Sequence, residues 1–172
     1  MKQRLLVDMD GVLADIYAQL IECEYQDLGI RQSIEKMNGT SEVDTFKNAL
    51  KYIYADGFFR NLPVMDGSVE ILRQLNEKYE LFIVTAAMEF PNSLIDKFYW
   101  LEEHFPFIHW KQIVMCGSKT VVKGDIMIDD HFKNLDYFDG KGLLFTQPHN
   151  LSGNDRNHTR VNSWYDVANI LL

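Results

Sequence analysis

The sequence predicts an α/β fold: a parallel β-sheet with helices on both faces and a small α-helical segment inserted after the first strand. Three observations predict it. Short apolar runs of strand length recur along the chain, separated by segments with apolar residues at helical spacing, the alternation expected of strands joined by crossover helices. The stretch from 15 to 61 carries no strand-like run. Several runs end on Asp, Thr or Asp-Asp, as they do where a ligand crevice lies at the C-terminal edge of a parallel sheet.

Arg4-Leu5-Leu6-Val7 is the first run, and it opens into the turn Asp8-Met9-Asp10-Gly11. Ile16 to Leu28 and Val43 to Tyr54 read as helices, with the polar stretch Lys36 to Ser41 as their linker. The helical pattern Asp66 to Leu75 leads to the run Leu81-Phe82-Ile83-Val84, which ends at Thr85. Ser93 to Phe105 is again helical. Ile113-Val114-Met115, Ile126-Met127-Ile128 and Gly142-Leu143-Leu144-Phe145 are later strands, and Ser163 to Leu172 closes the chain as an amphipathic helix. The expected division is a core of residues 1–14 and 62–172 with a helical cap at 15–61. No internal repeat or low-complexity segment interrupts it.

Composition narrows the function. A chain of 172 residues that is 47% hydrophobic holds one real core with a small insertion. The formal net charge of -8 argues against duplex nucleic acid as a partner, because that binding depends on many Lys and Arg contacts to phosphates. A small anionic substrate would need a local positive site. Cys23 and Cys116 stand apart from each other and from any zinc-ligand spacing, and are expected to be free thiols. Met-Lys-Gln-Arg leads straight into the first strand without a signal peptide's apolar stretch. No run approaches the roughly 18 apolar residues of a membrane span. The expectation is a cytoplasmic protein without a membrane partner; a homodimer is compatible with the sequence.

In a parallel sheet the strand ends converge, so Asp8, Asp10, Thr85 and the pair Asp129-Asp130 should face one crevice, with Lys119 just ahead of the last strand. Each type has a task in phosphoryl transfer. A carboxylate at Asp8 can attack phosphorus and split hydrolysis into two displacements. Asp10 can protonate the leaving oxygen and then take a proton from water. The Thr85 hydroxyl and Ala86 N–H suit phosphate oxygens, and Lys119 can hold the nucleophile and stabilise developing charge. So many acids together require a cation, and Mg²⁺ suits oxygen donors that bridge to phosphate. Singly, such residues are more often caps, turns or solvated surface; the ordered set is what points to chemistry.

Asp8-Met9-Asp10-Gly11-Val12-Leu13-Ala14-Asp15, Ile83-Val84-Thr85-Ala86 and Lys119 to Asp130 resemble the ordered motifs of the haloacid dehalogenase superfamily. Within it the chain resembles the 5′(3′)-deoxyribonucleotidases, through Gly57 to Pro63, the Lys119–Asp130 spacing, Leu144-Phe145-Thr146, His149-Asn150 and Ser163-Trp164. The resemblance covers nearly the whole chain. It implies a Rossmann-like core whose helical cap closes over a nucleoside monophosphate, with Mg²⁺ held by Asp8, the Asp10 backbone carbonyl and Asp130, and Asp129 behind them. Two positions depart from the family: Ile16 stands where an aromatic commonly packs on the base, and Ser118 where an acid often precedes the motif lysine.

The cap segment carries Tyr17, Tyr25, Phe46, Tyr52, Tyr54, Phe58 and Phe59, mostly at helical spacing and so mostly core. Phe58 and Phe59, at the return to the core, are with Ile16 the expected pocket residues. His149 to His158 reads as a polar surface loop, and Trp100 and Trp110 as packing. No GxxxxGK or GxGxxG is present. The expected activity is Mg²⁺-dependent hydrolysis of (deoxy)nucleoside monophosphates through an aspartyl-phosphate. Three alternatives remain: a phosphatase for other small esters, a receiver-type signalling module and a non-catalytic phosphate-binding protein. A receiver lacks the insertion after strand one, and both acids needed for catalysis are present here.

Overall fold

The computed structural model describes residues 2–152 and 154–172, so Met1 and Gly153 lie outside the described residues. Six strands form one sheet: β1 (Arg4–Val7), β2 (Glu80–Thr85), β3 (Ile113–Met115), β4 (Ile126–Asp129), β5 (Lys141–Phe145) and β6 (Thr159–Val161). Their order is β3-β2-β1-β4-β5-β6, and every neighbouring pair is parallel. The connection leaves β1 toward β2 and β3 on one side and returns to β4, β5 and β6 on the other. The order therefore reverses between β1 and β4, where a doubly wound sheet opens its crevice.

Alternation along the strands sorts their side chains onto two faces. Leu5, Val7, Leu81, Ile83, Ile126, Ile128, Leu143, Phe145 and Val161 belong to the larger buried cluster, and Leu6, Val84, Met127 and Leu144 to the smaller. Helices α4 (Ser68–Lys78), α5 (Ser93–His104) and α7 (Trp164–Leu171) place buried residues in the larger cluster, and the short α6 (Phe132–Leu135) places Leu135 in the smaller. The insertion contains α1 (Ile16–Leu28), α2 (Glu42–Thr45) and α3 (Ala49–Ile53). Its buried Tyr17, Leu20, Phe46, Tyr52 and Phe59 join the same large cluster as the sheet, so its apolar side is continuous with the core.

The helix expected over Val43 to Tyr54 is broken. Phe46 is extended (φ -99°, ψ 125°) with its side chain buried, and the Lys47 N–H donates to Glu24 Oε1 at 2.9 Å. A buried carboxylate on α1 thus takes a donor that a continuous helix would have used internally. The strand β6 and the four-residue helix α6 are absent from the sequence expectation because each is too short to show a period. Trp100 is buried and donates from Nε1 to the Leu62 carbonyl at 2.7 Å, holding the chain where the insertion rejoins the core. Trp110, expected to pack, is instead 64% exposed. Cys23 and Cys116 are free and half-buried. Among the described residues no helix is long and apolar enough to cross a membrane.

Candidate active site

The chain leaving β1 folds into a compact turn. The N–H groups of Val12, Leu13 and Ala14 all donate to the Met9 carbonyl, and Gly11 N–H donates to the Ala14 carbonyl. Gly11 adopts φ +74°, and a Cβ there would stand 2.1 Å from Asp130 Oδ2. Only glycine satisfies both the left-handed backbone and the close approach of Asp130, the acid just after β4. Trp164 Nε1 donates to the Val12 carbonyl at 2.8 Å, so α7 clamps the turn that presents Asp8 and Asp10.

Behind the turn lies a buried charge cluster. Lys119 Nζ is 2.5 Å from Asp8 Oδ1 and 2.6 Å from Asp129 Oδ2. Asp129 is further fixed by the His131 N–H at 2.9 Å and by Asn134 Nδ2 at 2.9 and 3.1 Å. Burial pushes the Asp8 carboxyl up to about 8, with Lys119 opposing and the charges of Asp129, Asp130 and Asp10 reinforcing. Asp130 is likewise raised by burial, to about 7. Burial disfavours charge on Lys119, yet Asp8 and Asp129 outweigh it and raise its pKa. Burial thus outweighs the nearby cations at Asp8 and Asp130, while Lys119, set between two acids, stays charged.

Asp10 meets a different cation. Lys97, on α5 and 1% exposed, sits 2.5 Å from Asp10 Oδ2 and donates to Thr85 Oγ1 at 3.2 Å, with Nζ 4.7 Å above the Phe59 ring. These groups border a cavity of about 250 Å³ lined by Asp8, Asp10, Ile16, Thr85, Ala86, Lys119 and Asp130, together with Glu42, Val43, Leu50, Ile53, Phe90 and His131. That is near the lower end of the roughly 300–1,000 Å³ of small-molecule sites. Ile16 and Ala86 both reach the cavity. Phe58 and Phe59 do not line it. They are 3% and 0% exposed, Phe58 packing edge-on against Phe59 and Phe59 lying under Lys97, because the return to the core carries both rings inward.

The comparisons decide the family. A family model described as 5′ nucleotidase, deoxy (pyrimidine), cytosolic type C protein matches residues 2–172. The chain belongs to this nucleotidase family. It is 37% identical to the 5′(3′)-deoxyribonucleotidase of Bacillus subtilis, with all of both chains covered, and 38% identical to a Staphylococcus epidermidis relative over 98% of this chain and 95% of that one. Among solved structures, a magnesium-bound haloacid dehalogenase-type hydrolase of Bacillus subtilis superposes with a TM-score of 0.62 at 15% identity, covering 99% of this chain and 98% of that one. That likeness shows the fold, a haloacid dehalogenase-like α/β core.

In this nucleotidase-family chain the site also includes residues that its sequence does not single out. Lys97 lies among the buried positions Ser93, Trp100 and Leu101 of α5, and a lysine on an apolar helical stripe is the signal that could have found it. His149, expected in a polar surface loop, is drawn inward: its Nε2 lies 3.0 Å from the Asp130 carbonyl oxygen, and its Nδ1 lies 3.0 Å from Tyr17 Oη and 3.5 Å from Glu42. Its ring also stacks on His131 at 4.3 Å. No spacing in the sequence links these residues, since they come from α1, α2 and two core loops.

Burial alone would discharge His149, but Glu42 and Asp130 outweigh it and lift the imidazole to about 9. Burial would raise Glu42, but His149 and Tyr17 outweigh it and hold the carboxyl at about 2. The His149 contribution is complete below its usual value of 6.5 and is lost as pH rises through about 9; the Glu42 contribution is complete above 4.5 and is lost as pH falls through about 2. In chelator, the melting-temperature gap between wild type and Glu42→Gln should therefore be widest near about pH 5–6 and should narrow as pH rises through about 9. At 3.5 Å and with partial solvent access the pair contributes on the order of 1–2 kcal/mol. A gap that does not change with pH would refute the coupling.

Proposed function

We propose that this protein is a phosphoric monoester hydrolase that cleaves (deoxy)nucleoside monophosphates to nucleoside and phosphate through an aspartyl-phosphate on Asp8. The observation that carries the reading is the convergence of Asp8, Asp10, Thr85, Lys119 and Asp130 on one cavity at the sheet's switch point, in a chain of the deoxyribonucleotidase family. The Met9 N–H and Lys119 both engage Asp8 Oδ1, which leaves Oδ2 as the attacking oxygen. Its lone pair forms the bond to phosphorus as the bond to the nucleoside oxygen breaks, and Asp10 gives that oxygen its proton. Asp10, now a carboxylate, takes a proton from the water that attacks the phosphoryl group, and Asp8 is restored as phosphate leaves. Thr85 Oγ1 accepts from Lys97, so its own hydrogen can be donated to a phosphate oxygen.

The donor set suits Mg²⁺. Asp8, Asp129 and Asp130 bring carboxylate oxygens within 4.8 Å of one another, and Asp10 Oδ1 and Asp130 Oδ1 are buried without a hydrogen-bond partner among the described residues. Asp8, the Asp10 carbonyl and Asp130 would hold the ion, with Asp129 behind. When bound, it supplies the charge that lets the acids and the phosphate sit together. Residues 15–61 act as the cap: they supply no catalytic acid, but Ile16, Glu42, Val43, Leu50 and Ile53 cover the cavity. We assign the protein to the cytoplasm, in keeping with a matched family described as cytosolic.

Phosphate release from a panel of ribo- and deoxynucleoside monophosphates, sugar phosphates and p-nitrophenyl phosphate tests the reading. Deoxynucleotides should be preferred, Mg²⁺ should activate and excess EDTA should silence the protein. Full activity in chelator would remove the metal from the mechanism. Efficient turnover of sugar phosphates with none of nucleotides would favour the broader phosphatase reading.

A further inference from the structure

The phosphoryl chemistry leaves the apolar part of the cavity without a task. Ile16, Val43, Leu50 and Ile53 reach it from the insertion, and Phe90 reaches it from the loop after β2. Phe90 is the only phenyl, phenol or indole ring lining the cavity among the described residues, and it is half-buried rather than sealed in the core. We propose that Phe90 is the platform on which the substrate's base lies, so that the element supplying phosphate contacts at Thr85 and Ala86 also grips the other end of the nucleotide. The inference rests on the nucleotidase reading above and adds the residue that selects for a base.

The ring is held in place before any ligand arrives. Phe90 N–H donates to the Ala87 carbonyl at 3.2 Å, the Phe90 carbonyl accepts from the Ser93 N–H at 2.8 Å, and Ser93 Oγ donates to the Ala87 carbonyl at 3.2 Å. Tyr54 packs edge-on against the ring at 5.5 Å, and Phe59 lies tilted to it at 5.9 Å. Asn92 Nδ2 donates to the Ile53 carbonyl at 3.1 Å, which fixes this loop to the apolar wall of the insertion. A ring already confined by its neighbours loses little freedom when a flat partner stacks on it.

Its place in the site is set by a chain of contacts. Lys97, bonded to Asp10 and Thr85, lies over Phe59; Phe59 touches Phe90; Phe90 touches Tyr54, which is 55% exposed. The rings therefore lead from the acid–base centre toward the rim. A substrate whose phosphate meets Asp8 and Thr85 and whose far end is a planar, weakly polar ring finds an aromatic face there. A baseless sugar phosphate has nothing to place on it.

The test compares kcat/KM for deoxyuridine 5′-monophosphate with that for 2-deoxyribose 5-phosphate in the full-length, Mg²⁺-supplied protein and in Phe90→Ala, Phe90→Tyr and Phe59→Ala. Stacking predicts that Phe90→Ala lowers the nucleotide-to-sugar-phosphate ratio by on the order of 5- to 100-fold, mainly through KM, and that Phe90→Tyr restores it. Phe59→Ala should lower both activities and the melting temperature together, since that ring is core. A folded Phe90→Ala protein that keeps the wild-type ratio overturns the inference while leaving the nucleotidase reading intact. Wild-type protein that releases no phosphate from any nucleotide overturns both.

Discussion

Asn in place of Asp8 abolishes phosphate release from every ester while the protein stays folded. The amide keeps the shape of the side chain, and its Oδ1 can still accept from the Met9 N–H and from Lys119. What disappears is the nucleophilic carboxylate that forms the covalent intermediate. A loss of at least about 10⁴-fold is expected, in line with nucleophile knock-outs in other enzymes that act through a covalent intermediate. Asp10→Asn should cost about 10²–10⁴-fold, the usual share of general acid–base catalysis. A carboxyl that burial lifts to about 8 must take up a proton on folding near neutral pH, a cost that Asn does not carry, so the melting temperature of Asp8→Asn should equal or exceed that of wild type there. Substantial turnover by the folded Asn variant, with sequence-verified protein free of contaminating phosphatase, would falsify the assignment of Asp8.

Met in place of Lys119 should damage both fold and activity. Lys119 is 5% exposed and its ammonium stands between Asp8 and Asp129; a thioether fills similar space but leaves both buried acids without their cation. Breaking a buried pair in this way costs about 3–5 kcal/mol. For a chain of this size that corresponds to a fall of roughly 6–20 °C in melting temperature. The deficit has a pH signature. Asp8 and Asp130 have values raised to about 8 and about 7, and without Lys119 they rise further, so the gap to wild type should be widest above about pH 8 and shrink as pH falls through about 8 and then about 7. Phosphate release should drop by about 10²–10³-fold, the usual effect of losing one preorganised charge-stabilising group. Thermal melts of both proteins across a pH series, in chelator, check this. A Met variant as stable as wild type at about pH 9, above the Asp8 value of about 8, would mean that Lys119 contributes nothing to folding.

The pH dependence of the Glu42–His149 pair and the selectivity of Phe90 concern a different layer of the protein, the contact between insertion and core. Both depend on residues that the chain supplies far apart. Glu42 and His149 tie α2 to the loop after β5, beside the carbonyl of an expected metal ligand, so their pairing couples the position of the insertion to the geometry around Asp130. Phe90 does the reverse, bringing a core loop to the insertion's apolar wall through Asn92 and Ile53.

The amino-acid sequence by itself determined the sheet and its chemical edge. Apolar runs such as Leu5-Leu6-Val7 and Ile126-Met127-Ile128 are buried on both faces and therefore read as strands without knowledge of their neighbours, and a parallel sheet obliges Asp8, Thr85 and Asp129-Asp130 to emerge on one side. Local spacing carries that information. Only the tertiary structure decided what the apolar insertion does with its rings. Phe58 and Phe59 were the expected pocket residues, but packing turned them into core and left Phe90 facing the cavity. The helix expected over 43–54 broke at Phe46 because a carboxylate 23 residues earlier in the chain captured the Lys47 N–H. Lys97 reached Asp10 across 87 residues, and Tyr17 reached His149 across 132. Periodicity reports which face of an element is apolar; which polar group of one element meets which group of another is set by the three-dimensional closure of the core, where a buried charge has to find its partner.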